Sequence, residues 1–481
     1  MTAGSARPNV ILILTDDQGY GDLACTGNRW IRTPEIDRFH DDAVRLPDFH
    51  VAPLCAPTRG ALMTGKRPVR NGVWGVCRGR SLLYTGQETI ADRFAAAGYR
   101  TGMVGKWHLG DNYPYRPHDR GFEWALYHKG GGVGQTPDHW GNNYFDDTYF
   151  ENGEPKHFDG YCTDIWFDQA MRFIEADGGA AGANDAAVHG GHARRPFFLY
   201  LATNAPHDPY LVPDRYTEPY AGNADIPFPA FYGMIGSIDE NLARLRAFLR
   251  ERDLEENTIL IFMTDNGSSG GCRLDEAGFL TQGYNAGMRG KKGSLYEGGH
   301  RVPFFVRWPA GGWTGGRDVA EPGYDIDLLP TLAEACGVEV ADGPNRADID
   351  GRSLVPLLDG KRDRFDDDRA HFVQFDMSAI ERLDKWHGAV LTRDWRFVHG
   401  TELYDAESDP GQTHDLAGEH PDVVRRLRDA YEQWWSATGD GSDPYARIVL
   451  GDDHENPTRL DAFDVRGDVA DGVDLLERLV G

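Results

Sequence analysis

The sequence lacks any apolar run close to the roughly 18 residues that a membrane helix requires, so we expect no membrane partner. It also lacks an N-terminal basic segment followed by an apolar segment and a cleavage site, which argues against a standard secretion signal. Together these absences predict a cytoplasmic protein. With 481 residues, 40% of them hydrophobic, the chain is long enough for two or three globular units.

Cysteines and basic residues are both scarce. The six cysteines contain no C-x-x-C pair, which argues against a zinc ribbon or a disulfide framework and fits a reducing compartment. The formal net charge of −26 excludes a general nucleic-acid binder, because phosphate binding needs a basic surface. The last segment, 451–481, has nine acidic residues against three arginines and is predicted to be a solvated acidic tail.

The most informative short segment is Cys55-Ala56-Pro57-Thr58-Arg59. Proline suits the first turn of a helix, and the following residues can continue that helix until Gly65 ends it. Cys55 would then lie at a helix N-terminus, where free N–H groups favour negative charge, with Arg59 one turn on. By itself the motif leaves two interpretations open, a packing cysteine or a site for anion chemistry.

Four short apolar runs read as buried strands, and each ends in polar residues. The runs are Val10–Leu14 before Thr15-Asp16-Asp17, Thr101–Val104 before Gly105-Lys106-Trp107-His108, Phe197–Leu201 before Asn204-Ala205-Pro206-His207, and Thr258–Met263 before Thr264-Asp265-Asn266-Gly267. An amphipathic helix containing Ile238, Leu242, Leu245 and Leu249 precedes the last of them. Alternating strands and helices predict an α/β sheet, whose ligand crevice lies at the carboxyl ends of the strands.

The pattern changes after about residue 365. Short strands with tight connections are predicted at Phe372–Phe375, Ala389–Leu391, Trp395–Val398 and Glu402–Tyr404. A helix with Val424, Leu427, Tyr431 and Trp434 on one face follows Pro421. We therefore divide the chain into a catalytic domain at 1–365, a smaller α+β domain on an antiparallel sheet at 366–450, and the tail. The segment 176–195, rich in Ala, Gly and His, is predicted to be a mobile surface loop.

These segments, taken in order, resemble the type I sulfatases of the alkaline phosphatase superfamily over nearly the whole chain. The matching stretches are Asn9–Asp22, Cys55–Gly65, Gly105–Gly110, Ala205–His207, Thr264–Gly267, Arg289–Ser294, Glu297–Gly299, Leu403–Asp405 and Asp409–Gly411. The resemblance implies a mixed, largely parallel central sheet flanked by helices. It also implies a sulfuric-ester hydrolase.

In that family the motif cysteine becomes formylglycine, an aldehyde whose hydrate is the nucleophile, and Cys55 is the matching position. One hydroxyl of the hydrate attacks sulfur, and the second later expels sulfate as the aldehyde re-forms. The formylglycine-generating enzyme reads Cys-x-Pro-x-Arg, which Pro57 and Arg59 satisfy, so it is an expected partner during maturation.

The resemblance also implies a divalent cation held by Asp16, Asp17, Asp265 and Asn266, together with the group derived from Cys55. Oxygen ligands without His or thiolate suit a hard cation, and three converging carboxylates would repel one another without one. Calcium is the first choice and magnesium the second.

The remaining implied residues bind or transfer the sulfate group. Lys106 and Lys292 match the lysines that clamp sulfate oxygens, and Arg59 matches the arginine that holds the formylglycine hydroxyl. His108 matches the residue assisting sulfate elimination, and His207 the one that can protonate the leaving oxygen. Two departures matter: the Lys291-Lys292 pair leaves the lysine open by one position, with Lys292 favoured, and His300 replaces an aliphatic residue, with a strand cap favoured over a place in the site.

The substrate is expected to be a small-molecule or saccharide sulfate ester. Aromatic residues crowd the segment 107–150 and could either stack on sugar or aryl rings or pack within the loop. A basic cluster could bind further anionic groups or form a solvated face: Lys66, Arg67, Arg70, Arg78 and Arg80. Two other functions stay open, a phosphonate or phosphate ester hydrolase with the same equipment and an inactive protein that binds sulfated ligands.

Overall fold

The structure is a computed structural model that describes residues 7–77, 79–176, 195–340, 349–376 and 382–439, with Gly441, Ala446 and His454. Most of the predicted mobile loop, the predicted tail apart from His454, and Arg78 lie outside the described residues. The domain limits at residues 365 and 450 stay predictions. No helix in the described ranges combines the length and apolar character needed to cross a bilayer.

A nine-stranded sheet forms the centre of the molecule. Its strands are β1 (Asn9–Thr15), β2 (Val44–Arg45), β4 (Arg100–Lys106), β5 (Trp124–His128), β6 (Thr148–Glu151), β7 (Glu154–His157), β8 (Phe197–Ala202), β9 (Thr258–Thr264) and β13 (Phe304–Arg307). They lie in the order β2-β13-β9-β1-β8-β4-β5-β6-β7. The five strands β9, β1, β8, β4 and β5 are parallel, and the strands flanking them are antiparallel. The predicted mixed, largely parallel sheet is confirmed.

Apolar runs form the central strands because both faces of the sheet are covered. In β1, Val10, Leu12 and Leu14 belong to the core on one face, whereas Ile11 and Ile13 belong to the core on the other. The helices along this part of the chain are α1 (Pro34–Asp42), α2 (Cys55–Thr64), α3 (Pro68–Asn71), α4 (Ile90–Ala96), α5 (Cys162–Glu175), α6 (Asp214–Thr217), α7 (Pro229–Glu251), α8 (Glu297–His300), α9 (Leu328–Cys336) and α10 (Val355–Leu358). Helix α7 contains the predicted amphipathic face, with all four apolar residues buried.

Two small sheets lie beside the central one. The first contains β3 (Phe49–His50), β12 (Arg301–Val302) and β14 (Gly323–Tyr324), and the second pairs β10 (Cys272–Leu274) with β11 (Leu280–Gly283). Strand β3 leads directly into the segment before Cys55, and β12 follows the segment that contains Lys292. The first small sheet therefore joins the approaches to two predicted site residues.

The predicted antiparallel sheet near the C-terminus is present. It contains β15 (His371–Gln374), β16 (Gly388–Leu391), β17 (Trp395–Val398) and β18 (Glu402–Asp405), paired in sequence order. Helix α11 (Pro421–Thr438) packs its Leu427, Tyr431 and Trp434 against this sheet, and the partly buried Val424 contacts the same cluster. We call β15–β18 the C-terminal sheet.

Candidate active site

The carboxyl ends of the parallel strands bring the predicted polar groups together. Asp16 and Asp17 follow β1, and Asp265 and Asn266 follow the neighbouring strand β9, with which β1 is in register from Asn9 to Thr15. All four side chains are fully buried. A polar set buried this deeply at the carboxyl ends of neighbouring strands is the arrangement expected of a ligand site rather than of a core.

Cys55 is the first residue of α2, and Gly65 ends that helix in the left-handed conformation, as predicted. The Cys55 Sγ lies 3.7 Å from Asp17 Oδ1. Burial raises the pKa of the Cys55 thiol, and the ammonium groups of Lys106 and Lys292 only partly oppose this effect. An unmodified Cys55 would therefore stay a neutral thiol, which is a poor nucleophile.

Arg59 contacts the cluster formed by Cys55 and the four predicted metal ligands, and it is also fully buried. Its Nε and Nη2 donate to Asp265 Oδ2 at 3.2 and 2.7 Å, and its Nη1 donates to the Lys106 carbonyl oxygen at 2.9 Å. The guanidinium thus fixes a predicted metal ligand and the end of β4 at the same time. Tyr200, whose hydroxyl lies 3.4 Å from Arg59 Nη1, was not predicted, because a tyrosine inside a strand looks like any other core residue.

The acidic groups fit a divalent cation. One oxygen or sulfur atom from each of Asp16, Asp17, Asp265 and Cys55 lies within 4.8 Å of the others. Within the described ranges, Asp16 Oδ1 and Asn266 Oδ1 are buried without a hydrogen-bond partner. Asn266 turns its Nδ2 to Asp17 Oδ1 at 2.9 Å, which leaves its carbonyl oxygen free for a cation. Buried oxygen acceptors left in this state, in a set with three carboxylates, are the chemistry of a calcium or magnesium site.

The protonation behaviour of the three carboxyls points the same way. Burial opposes ionisation of Asp16 and Asp17, but Lys106 and His207 beside Asp16, and His207 and Lys292 beside Asp17, hold their pKa values below the usual range. For Asp265, burial and the charge of Asp16 outweigh Arg59 and raise the pKa to about 6. Burial and the charge of Asp16 thus make ionisation of Asp265 less favourable, and a bound cation would oppose this effect.

The two predicted lysines each contact one carboxylate. Lys106 Nζ lies 2.6 Å from Asp16 Oδ2, and Lys292 Nζ lies 2.6 Å from Asp17 Oδ2. The neighbouring Lys291 instead directs its Nζ to the Ser269 carbonyl oxygen at 3.4 Å. Lys292 rather than Lys291 thus reaches the cluster, as the sequence favoured.

The tautomers of the two histidines follow from their carbonyl contacts. His108 Nε2 donates to the Val76 carbonyl oxygen at 3.0 Å, so its buried Nδ1, which has no partner among the described groups, carries the lone pair. Burial, with Lys106 and Arg59 nearby, holds the pKa of His108 well below its usual range. His207 Nδ1 donates to the Asp208 carbonyl oxygen at 2.6 Å, and its Nε2 lies 3.7 Å from Asp17 Oδ2.

None of the described hydrogen bonds of His300 reaches this cluster. It ends α8, and its Nδ1 lies 3.0 Å from Nδ1 of His50, another residue that sequence reasoning missed. Together with Glu297 the two histidines form a second buried group of titratable side chains. His300 therefore lies in the protein interior and contacts another histidine, rather than only capping a strand.

The aromatic segment 107–150 supplies fewer accessible rings than its composition suggests. Trp107, Tyr115, Trp124, Tyr127 and Tyr144 are buried, whereas Trp140 is 81% exposed. The Tyr144 hydroxyl donates to the carbonyl oxygens of His207 and Asp208, so Tyr144 helps to hold the turn that contains His207, which we call the His207 turn. Packing accounts for most of these rings, and Trp140 is the one large apolar side chain of the segment, among its described residues, that is strongly exposed.

The basic cluster near Cys55 is neither a free anion-binding surface nor a solvated face in the described residues. Arg67 and Arg70 pair with Asp350, and Lys66 Nζ donates to Gln87 Oε1 at 2.7 Å. Arg80 is buried with its guanidinium over the Trp74 ring. These cations hold together the chain that surrounds α2 and α3.

Comparisons with known proteins show the family of the chain. The sulfatase family profile matches residues 8–338, and the profile described as N-sulphoglucosamine sulphohydrolase, C-terminal, matches residues 289–434. The chain is 31% identical over 477 residues to Homo sapiens arylsulfatase A, covering 88% of this chain and 86% of that protein. It is 29% identical over 448 residues to Homo sapiens N-acetylgalactosamine-6-sulfatase, covering 85% of this chain and 77% of that protein.

A solved structure matches over a similar extent. Ps i-CgsB in complex with k-i-k-neocarrahexaose has a TM-score of 0.75 at 25% identity, with 92% of this chain and 95% of that chain covered. The range that the sulfatase profile matches contains the whole central sheet and the group of three carboxylates with Cys55. The chain therefore belongs to the sulfatase family of the alkaline phosphatase superfamily and is a sulfuric ester hydrolase.

Proposed function

We propose that the chain hydrolyses a sulfate monoester of an aryl or carbohydrate alcohol, with Cys55 converted to formylglycine and a divalent cation held by Asp16, Asp17, Asp265 and Asn266. The observation that carries the proposal is the clustering of Cys55 with three carboxylates inside 4.8 Å, in a fully buried set that two lysines flank. A neutral thiol in this setting has no evident use, whereas a precursor of an aldehyde does.

The cation would neutralise the carboxylates and polarise an oxygen of the sulfate group when bound, and calcium is the ion we favour over magnesium. The formylglycine hydrate would supply the hydroxyl that attacks sulfur and the second hydroxyl needed for release of sulfate. Every other contribution comes from side chains that the chain already holds in place.

The lysines and histidines divide the remaining work. Lys106 and Lys292 would hold the sulfate oxygens, on which charge increases as the bond between sulfur and the ester oxygen breaks. The Nδ1–H of His207 is held by the Asp208 carbonyl oxygen, which leaves Nε2 for the substrate. When Nε2 is protonated, it would give its proton to the departing alcohol oxygen. His108, whose Nδ1 carries the lone pair, would accept a proton from the hydroxyl that remains on residue 55.

The substrate class rests on the relatives. One relative is named for N-acetylgalactosamine-6-sulfate esters, and a structural neighbour was solved with a neocarrahexaose. The strongly exposed Trp140, in the segment that contacts the His207 turn through Tyr144, suits a sugar ring or an aryl group. We therefore propose saccharide sulfates and small aryl sulfates as the compounds to test.

Turnover of matched esters tests the proposal. The protein is produced together with a formylglycine-generating enzyme, and kcat/KM is measured for para-nitrophenyl sulfate and N-acetylgalactosamine 6-sulfate. The phosphate monoester, the phosphate diester and the phosphonate ester of para-nitrophenol are measured beside them. We expect the sulfate esters to have the highest kcat/KM and Cys55→Ala to abolish their turnover. A preference for phosphorus esters, or binding of sulfated ligands without turnover, would overturn the proposal.

A further inference from the structure

The segment that contains Lys292, residues 289–301, connects the parts of the site. Its Lys292 N–H donates to the Ser268 carbonyl oxygen at 3.2 Å, and its Gly299 carbonyl oxygen accepts the N–H of Gly267 at 2.9 Å. Ser268 and Gly267 immediately follow the predicted metal ligands Asp265 and Asn266. The position of this segment therefore determines the position of the turn that follows β9.

The same segment also holds the approach to Cys55. Its Gly293 N–H donates to the Pro53 carbonyl oxygen at 2.9 Å, and its His300 carbonyl oxygen accepts the N–H of Val51 at 2.9 Å. Glycine also lets the segment fold back closely on itself, because a Cβ on Gly299 would lie 2.0 Å from the Ser294 carbonyl oxygen. Displacement of the segment 289–301 would thus move Lys292, the turn after β9 and the chain leading to Cys55 together.

A buried ion pair anchors this segment to the C-terminal sheet. Arg396 in β17 donates from Nε to Glu297 Oε1 at 2.5 Å, and both side chains are 1% exposed. The same guanidinium donates from Nη2 to Asp48 Oδ1 at 2.8 Å, in the turn just before β3. Burial disfavours the Glu297 carboxylate, but Arg396 together with the neighbouring His50, Arg301 and His300 outweighs this effect and lowers the pKa of Glu297 to about 2.

Hydrogen bonds from the C-terminal sheet and the loop after it support the ion pair. Gln412 Oε1 accepts the N–H of Glu297 at 2.7 Å, and the Tyr296 hydroxyl donates to Glu402 Oε2 at 2.9 Å. The group of His50, Glu297 and His300 could in principle ligate a metal. However, Arg396 occupies one Glu297 oxygen and lies 3.2 Å from His50 Nε2, and Arg301 faces the other oxygen, so guanidinium groups already supply the positive charge.

From these contacts we infer that Arg396 is a positioning residue for catalysis: through Glu297 and Asp48 the C-terminal sheet fixes Lys292, the metal-ligand turn and the approach to Cys55. The inference rests on the proposed function of those residues. A buried guanidinium that binds two carboxylates at once restricts the segment in two directions, which a single hydrogen bond does not. Residues that support catalytic groups from behind typically change activity about 10- to 100-fold when lost.

Arg396→Gln is the main variant, and Arg396→Lys and Gln412→Ala are milder variants in case the first does not fold. Lysine keeps the charge but cannot bind both carboxylates as a fork. Arg393→Gln is the control, because the partly exposed Arg393 lies three residues away and pairs with the buried Glu321 from the β16–β17 connection. None of the described hydrogen bonds or ion pairs of Arg393 reaches segment 289–301. Each variant is measured for kcat, KM and amide hydrogen exchange.

We expect Arg396→Gln to lower kcat about 10- to 100-fold with a smaller change in KM, and to raise exchange in residues 265–269 and 289–301. Arg396→Lys and Gln412→Ala should show the same effects at smaller size, and Arg393→Gln should show neither. Folded Arg396 variants with kcat and exchange like the parent chain, or equal losses in Arg393→Gln, would overturn the inference. If the parent chain hydrolyses no sulfate ester, the proposed function fails, and the exchange measurements alone still decide whether Arg396 positions the segment.

Discussion

Lys292 Nζ lies 2.6 Å from Asp17 Oδ2, while the adjacent Lys291 reaches only the carbonyl oxygen of Ser269. The two side chains are chemically identical, so the backbone decides which of them can act on a substrate. Gly293, with a φ of +79°, follows Lys292 immediately and sets the turn that points Lys292 inward.

This pair of lysines provides a matched test. Lys292→Ala is expected to lower kcat about 100-fold, because loss of one preorganised donor at the developing charge typically costs about 3 kcal/mol. Lys291→Ala is expected to stay within about threefold of the parent chain, in line with the small effects typical of exposed or half-buried ion contacts. Steady-state kinetics with para-nitrophenyl sulfate measures both. Equal losses in the two variants would contradict the assignment of Lys292.

Calcium is expected to stabilise the protein by binding the folded chain. At a free concentration about 100 times Kd, the gain is about 2.7 kcal/mol, which thermal unfolding detects as a higher Tm. Asp265→Asn should weaken calcium binding at least tenfold in titration calorimetry, because it removes one ligand charge. Asp239→Asn, at a buried carboxyl of α7 outside the site, is the control and should bind calcium like the parent chain. Unchanged binding in Asp265→Asn would contradict the metal site.

Asp239 also predicts a specific pH dependence of stability. Its Oδ1 accepts the N–H groups of Glu35 and Ile36 at the start of α1, and burial raises its pKa to about 7. Since the folded pKa lies above the unfolded value of about 3.9, the carboxyl favours folding most at low pH, and this contribution is lost as the pH rises towards 7. The loss amounts to at most about 4 kcal/mol, at 1.36 kcal/mol per pKa unit.

The Asp239→Asn variant keeps a carbonyl acceptor for the N–H groups of Glu35 and Ile36, but its side chain cannot ionise. We therefore expect the difference in denaturant midpoint between Asp239→Asn and the parent chain to increase from pH 5 to pH 8 in favour of the variant. Midpoints that change in parallel over this range would show that Asp239 does not titrate there.

Gly131 is expected to matter for the position of His108. A Cβ at Gly131 would lie 2.9 Å from His108 Cε1, so Gly131→Ala must displace the imidazole or the loop. We expect kcat to fall about tenfold, since misplacement of a catalytic group by about 1 Å can cost up to 100-fold. Gly86→Ala, where a Cβ would meet no atom within 4 Å, is the control for the loss of a glycine. A Gly131→Ala enzyme with the parent kcat would separate His108 from catalysis.

The predicted strands were recovered because buried apolar runs ending in polar residues leave few alternatives. Val10–Leu14 and Thr258–Met263 both became central strands, and the residues after them met at one point. The C-terminal strands and α11 were recovered from their spacing in the same way. In each case local pattern and tertiary burial require the same element.

Other features depend on contacts between distant parts of the chain. Asp17 and His108 have φ angles of +68° and +58°, conformations that only the surrounding structure can impose on residues other than glycine. Arg396 contacts Glu297 across 99 positions in the sequence, and the local pattern of its strand, an inner strand of a small sheet, does not indicate this partner. For the aromatic segment 107–150 the sequence left ligand stacking and loop packing open, because composition does not show which rings are buried.

The account depends most directly on the chemical state of residue 55. Mass spectrometry of the peptide that contains residue 55, from active enzyme made with a formylglycine-generating enzyme, measures that state. We predict loss of the cysteine sulfur and gain of an aldehyde oxygen, with the converted fraction proportional to the specific activity of each preparation. A fully active enzyme whose residue 55 is an unmodified thiol would contradict the account.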